Sequence, residues 1–189
     1  MKKAKFNIIY FLIIFCALYY GFIIYVGLIT PGGKTFSPFL NSYLDIPDWL
    51  SMFVAKASTL LLKILGYDAY QRSAVNVTIR GGRGATIAWG CIGAGVMFLW
   101  FAFIFAHKAK PIYKLKWIIA GILLIFLFNI LRISFIVLSY KYNWVYFQSF
   151  NAHATFNFIT YIIIILLMGL FIFNYNKLQR KQNNTVGTF

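Results

Sequence analysis

Glutamate is absent from this 189-residue chain, and aspartate occurs only at Asp45, Asp48 and Asp68. Charge of either sign is scarce: 11% of the residues carry it, against about 25% in soluble domains. Cysteine occurs twice, at Cys16 and Cys91, too few for a disulfide framework. Cys16 lies midway along an apolar run and reads as a small packing residue. No carboxylate falls inside the clear apolar spans, which argues against an aspartyl protease or a carboxylate-driven ion pump. No G-x-S-x-G or H-E-x-x-H occurs, so serine-type intramembrane proteolysis and zinc hydrolysis lack their residues. What is abundant is apolar sequence: 61% hydrophobic and 21% aromatic, in runs too long for soluble strands or ordinary core helices. A soluble enzyme, a disordered chain and a disulfide-stapled module are excluded. The composition fits a small, all-α, multi-pass membrane protein with one membrane domain over 1–189.

Transmembrane helices are expected at about 6–29, 88–107, 117–139 and 153–173. The first follows Lys2, Lys3 and Lys5. It is too long for a signal peptide and lacks a small-residue cleavage site, so it reads as a retained span. The second needs residues 88–90 to reach spanning length, with Trp89 as an interfacial anchor. Residues 49–67 carry Lys56 and Lys63 on one face, which fits an amphipathic helix lying in the interface better than a fifth span. Residues 179–189 are polar and are expected to form a flexible tail.

Basic residues set the orientation. Four spans place Lys2, Lys3, Lys5, Lys108, Lys110, Lys114, Lys116, Lys177, Arg180 and Lys181 inside, in short segments, and all three aspartates outside. Both termini are then cytoplasmic, and the location is the cytoplasmic (inner) membrane. A net charge of +15 in a soluble chain would suggest nucleic acid. Here the cations flank apolar spans, so they read as orientation signals and contacts to anionic lipid, with no nucleic-acid partner. Outside, Val75, Val77 and Ile79 alternate with polar residues before Gly81-Gly82-Arg83-Gly84, a pattern that predicts a small β-hairpin over about 74–89.

Reckoned at about 1.5 Å per helical residue, Cys91 and Arg132 each lie about 22 Å above the inner surface. His153 opens the last span at the same outer level, on the opposite side from His107, so the two histidines cannot share a metal. Taken alone, Cys91 reads as a packing residue among glycines and His153 as an interfacial histidine. Arg132 alone divides between a functional role and snorkelling to head groups. Together they make a kit for thiol acyl transfer. A neighbouring cation favours a thiolate, a fixed guanidinium can hold an oxyanion, and an imidazole can protonate a departing amine.

Three segments carry a resemblance: Ala88-Trp89-Gly90-Cys91-Ile92-Gly93, Asn129-Ile130-Leu131-Arg132-Ile133 and His153-Ala154-Thr155-Phe156-Asn157. In their order and placement they resemble the exosortase/archaeosortase family of membrane-embedded sorting transpeptidases, over roughly 75–173. The resemblance implies Cys91 as nucleophile, Arg132 as oxyanion or thiolate stabiliser and His153 as general acid and base. Asn129, Gly93 and Asn157 are implied in support, Asn129 orienting Arg132 from one turn away. It implies no cofactor and no metal. Ile92 stands where many members have Ser or Thr, and Ala154 and Thr155 stand where many have glycine, which leaves subfamily and recognition motif open.

The implied substrates are secreted proteins ending in a motif, a transmembrane helix and a basic tail. They would be cleaved at the outer face, and the acyl group passed to an acceptor or to water. Membrane lipids, and a dedicated substrate or assembly partner, are the other expected partners. The alternative is a non-catalytic membrane assembly or anionic-lipid-binding protein using Arg132, Arg80 and Arg83. A transporter or channel lacks a polar path at the midplane.

Overall fold

The computed structural model describes residues 6–33, 35–144 and 152–186, with side chains except at 152–155 and 181–186. In chain order it contains α1 (Ile8–Ile29), α2 (Pro38–Tyr43), α3 (Ile46–Ile64), β1 (Ala69–Ser73), β2 (Asn76–Ile79) and β3 (Ala85–Thr86). A 3-10 turn (Trp89–Cys91) follows, then α4 (Ala94–Phe105), α5 (Pro111–Lys141) and α6 (Ala152–Val186).

Among the described residues, three helices are long and apolar enough to cross a membrane: α1, α5 and Phe156–Arg180 within α6. α4 is equally apolar but has 12 residues, about 18 Å of helix against a hydrocarbon core of about 30 Å. The continuous helix expected over 88–107 is therefore a correction: its first part is a turn. The cause is Gly93, whose φ of +77° lies in the left-handed region and which stands as the N-cap of α4. The depth of Cys91 cannot be counted along a helix that does not reach it.

The segment still runs beside α1 for much of its length. Phe6 bridges His107 at one end and Phe22 packs edge-on to Trp89 at the other. Phe6 to Phe22 is sixteen residue steps, about 24 Å at helical rise. α5 begins earlier than expected, with Pro111 in its first turn. The residues expected to form a flexible tail from 179 continue α6 as far as Val186.

α3 is amphipathic, as its sequence requires. Ser51, Val54, Ala55, Ser58 and Leu62 form its buried face, while Lys56 and Lys63 are exposed. Asp45 caps its start, accepting from the Asp48 N–H at 2.9 Å. Its end is a Schellman turn: Tyr67 N donates to the Leu62 carbonyl (3.0 Å) and Gly66 N, at φ +85°, to that of Lys63 (2.9 Å). The outer segment then forms a three-stranded antiparallel meander, β1-β2-β3, with one more strand than the expected hairpin. Gly84 lies where a Cβ would come within 2.2 Å of Thr78 Oγ1, so the β2–β3 connection needs glycine there.

Two apolar clusters hold the elements together. One joins α3, the sheet and the later half of α5 through Val54, Leu62, Val77, Ile79, Ile133 and Val137. The other joins α4, α5 and α6 through Trp100, Phe103, Ile125, Ile164 and Phe171. Trp100 is fully buried and its indole N–H donates to the Trp117 carbonyl at 3.1 Å. Its ring lies against Gly121, where a Cβ would stand 2.0 Å from Nε1. This close approach seats the start of α5 on α4.

Candidate active site

Cys91 closes the 3-10 turn and is half-buried. Its N–H donates to the Ala88 carbonyl at 2.7 Å. Its own carbonyl accepts from Asn129 Nδ2 at 2.5 Å. Asn129 is buried on α5, and Arg132, 9% exposed, lies one turn further along the same helix. Asn129 thus ties the Cys91 turn to the helix that carries Arg132. Orienting Arg132, the role expected of it, is a different task.

Asn129 and Arg132, together with Trp89 and Gly90 of the Cys91 turn but not Cys91 itself, line a cavity of about 330 Å³ whose walls come from α1, the turn, α4, α5 and α6. Asn129, Arg132, Asn157 and Thr160 give it polar groups; Phe15, Tyr19, Phe22 and Trp89 give it aromatic walls. Gly93 opens α4 at the cavity, so the first residues of that helix also line it. Gly93 has room for a methyl group, with Ile125 Cγ2 3.6 Å from an ideal Cβ, so its constraint is its backbone angle. His153 lies in the first turn of α6, but its side chain is outside the described residues. Of the six residues expected at the site, Arg132, Asn129, Gly93 and Asn157 line the cavity; Cys91 does not, although its neighbours Trp89 and Gly90 in the same turn do and its carbonyl is held by Asn129.

The chain matches the transmembrane exosortase family over residues 4–178, nearly its whole length. It belongs to that family. No curated protein and no solved structure gives a match. Membership points to a membrane protein-sorting enzyme, in a family whose members are generally cysteine transpeptidases. In this exosortase-family chain, sequence reasoning missed the contribution of α1. Phe15, Tyr19 and Phe22 recur at helical spacing and face the cavity, a periodic aromatic stripe that could have been noticed. It was hidden because α1 is apolar on every side. Trp89 was read as a membrane anchor; it also forms cavity wall.

Proposed function

We propose that the chain is a cysteine transpeptidase that removes the C-terminal sorting tail of secreted proteins at the outer face of the cytoplasmic membrane. In this reading the chain crosses the membrane four times with both termini cytoplasmic, and the cavity faces outward. The fourth passage is α4 with its preceding turn, supported by its run of about 24 Å alongside α1. The observation that supports the reading is the hydrogen bond from Asn129 to the Cys91 carbonyl, which holds the Cys91 turn against the helix that carries Arg132, next to a cavity of about 330 Å³.

In this reading the substrate's tail helix lies between α1 and α6. Both helices line the cavity, yet they make no extensive contact with each other among the described residues. The Cys91 thiolate attacks the scissile carbonyl. Arg132 holds the charge that develops on oxygen. His153 protonates the departing amine, leaving a thioester on Cys91. An amine or hydroxyl acceptor resolves the thioester by transpeptidation; water resolves it by hydrolysis.

The test is co-expression of a tailed substrate with the wild type and with Cys91→Ala. Removing a nucleophile lowers turnover by a factor on the order of 10⁶ in well-studied hydrolases, so processing should vanish. Undiminished processing by the variant would end the proposal. A non-catalytic lipid-binding protein predicts the reverse ranking, with Cys91→Ser silent and Arg132→Ala harmful.

A further inference from the structure

Two of the chain's three acidic residues face a second, smaller cavity of about 240 Å³. Trp89 lines both this cavity and the one beside the thiol. Asp45 and Asp48 stand at the start of α3, and the second Asp45 oxygen accepts from Asn41 Nδ2 at 3.2 Å. Helix capping explains Asp45 alone. It does not explain Ser51, which is 2% exposed and lines the same cavity with a buried hydroxyl that has no hydrogen-bond partner. Buried hydroxyls are almost always paired, so an unpaired one at a cavity wall points to a ligand. Neither carboxylate meets a cation among the described residues, where the ion pair formed is Arg80 with Asp68. Partial burial, and secondly the neighbouring Asp45 carboxylate, raise Asp48 from its ordinary value, a cost that a bound cation would relieve. The other walls include Ile29, Ile87 and the Trp89 ring.

We infer that this cavity is a subsite for a primary alkylammonium, supplied by a lysine side chain in the substrate's extracytoplasmic segment. The aliphatic stem lies along Ile29 and Ile87, and the ammonium donates to Asp45, Asp48 and the Ser51 hydroxyl. Trp89 stands two residues before Cys91, so a lysine held here lies next to the peptide bond the thiol would attack. The assignment to a substrate residue rests on the acyl-transfer reading above; binding of the ammonium does not.

The experiment uses full-length Cys91→Ala protein in phosphatidylcholine nanodiscs, so that no cleavage is required. Three probes are titrated by saturation-transfer NMR: acetyl-Ala-Lys-Ala-amide, its norleucine analogue and ethanolamine. The lysine peptide should bind about tenfold more tightly than the norleucine analogue, the difference a charge-assisted hydrogen bond makes. Asp48→Asn should remove that preference, Ser51→Ala should weaken it about threefold, and Asp68→Asn should leave it intact. Asp45→Asn, which keeps a capping side chain, serves as a second variant and should also lose the preference. Equal binding of the norleucine peptide overturns the inference, as does an unchanged Asp48→Asn protein. Ethanolamine binding as tightly as the lysine peptide overturns the substrate assignment in favour of a small-amine or lipid head-group site. Because the thiol is absent throughout, failure here and failure of Cys91-dependent processing are separate results.

Discussion

Replacing Asn129 by alanine cuts the tie between the Cys91 turn and α5, and two consequences of different size follow. Asn129 is 6% exposed and its Nδ2 lies 2.5 Å from the Cys91 carbonyl. Hydrogen bonds between membrane helices average about 0.6 kcal/mol and reach about 1.7. A loss of about 1 kcal/mol lowers Tm by about 2–4 °C for a chain of this size and leaves the protein folded. If Cys91 is the nucleophile proposed above, activity should suffer far more, because the turn then positions the attacking thiol and a displacement of about 1 Å costs on the order of 10²-fold. The expected result is a kcat for tail cleavage reduced about 100-fold, with KM changed little. Single-turnover cleavage of a purified tailed substrate, with a thermal melt of the same preparation, separates the two effects. A variant that melts a few degrees lower yet cleaves at the wild-type rate would refute the positioning role and leave Asn129 as a packing residue.

Gly93→Ala has room for its methyl group but not for its backbone angle. It should destabilise by about 1–2 kcal/mol and impair cleavage beyond what its melting temperature accounts for, measured in the same assay. Gly121→Ala drives a Cβ to 2.0 Å from the Trp100 indole nitrogen; overpacking of this kind costs about 1–3 kcal/mol, and the melt should show it without any selective loss of kcat. His107 sits between α4 and α5 with its Nδ1 2.8 Å from the Phe103 carbonyl and its ring against Phe6, Phe103 and Phe171. Burial, and secondarily the Lys114 charge, hold its imidazole below the ordinary value against the opposing pull of the Phe103 carbonyl. The unfolded chain therefore binds the proton more readily. The stability due to neutral His107 is complete above about pH 6.5 and declines as pH falls below it. Melting temperatures from pH 8 to 5 should drop on the acid side for the wild type and drop less for His107→Gln, with the difference between the two isolating His107 from His153.

Long uninterrupted apolar runs made α1, α5 and α6 legible in the sequence, and Lys56 and Lys63 marked the exposed face of α3. β1 was not legible, because Ala69-Tyr70-Gln71-Arg72-Ser73 has no alternating pattern of its own; it is a strand because β2 pairs with it, Ala69 against Ile79 and Gln71 against Val77. The length of α4 was hidden for the opposite reason. Hydropathy counts Gly90, Gly93 and Gly95 as compatible with a span, whereas the left-handed backbone at Gly93 ends the helix. The chemistry-bearing residues stood out because an arginine in an apolar span is costly, and Cys91 and His153 gained meaning only beside it.

That unforeseen break bears directly on how the site would work. In the turn the carbonyl of Cys91 accepts from Asn129, which ties this segment to α5. Ending the helix at Gly93 also brings the N-terminus of α4 to the cavity wall, where Ala94, Gly95 and Val96 line it. The first N–H groups of a helix lack partners within it and carry the positive end of its dipole. Arg132 and this helix terminus then face one cavity from two sides, and both favour an anion there, whether a thiolate before attack or an oxyanion after it. A span that ran unbroken from 88 would supply the guanidinium alone. The shortness of α4 therefore supports the acyl-transfer reading, because the turn that shortens the helix carries Cys91 with its tie to Asn129 and, in that reading, turns a second source of positive potential toward the cavity.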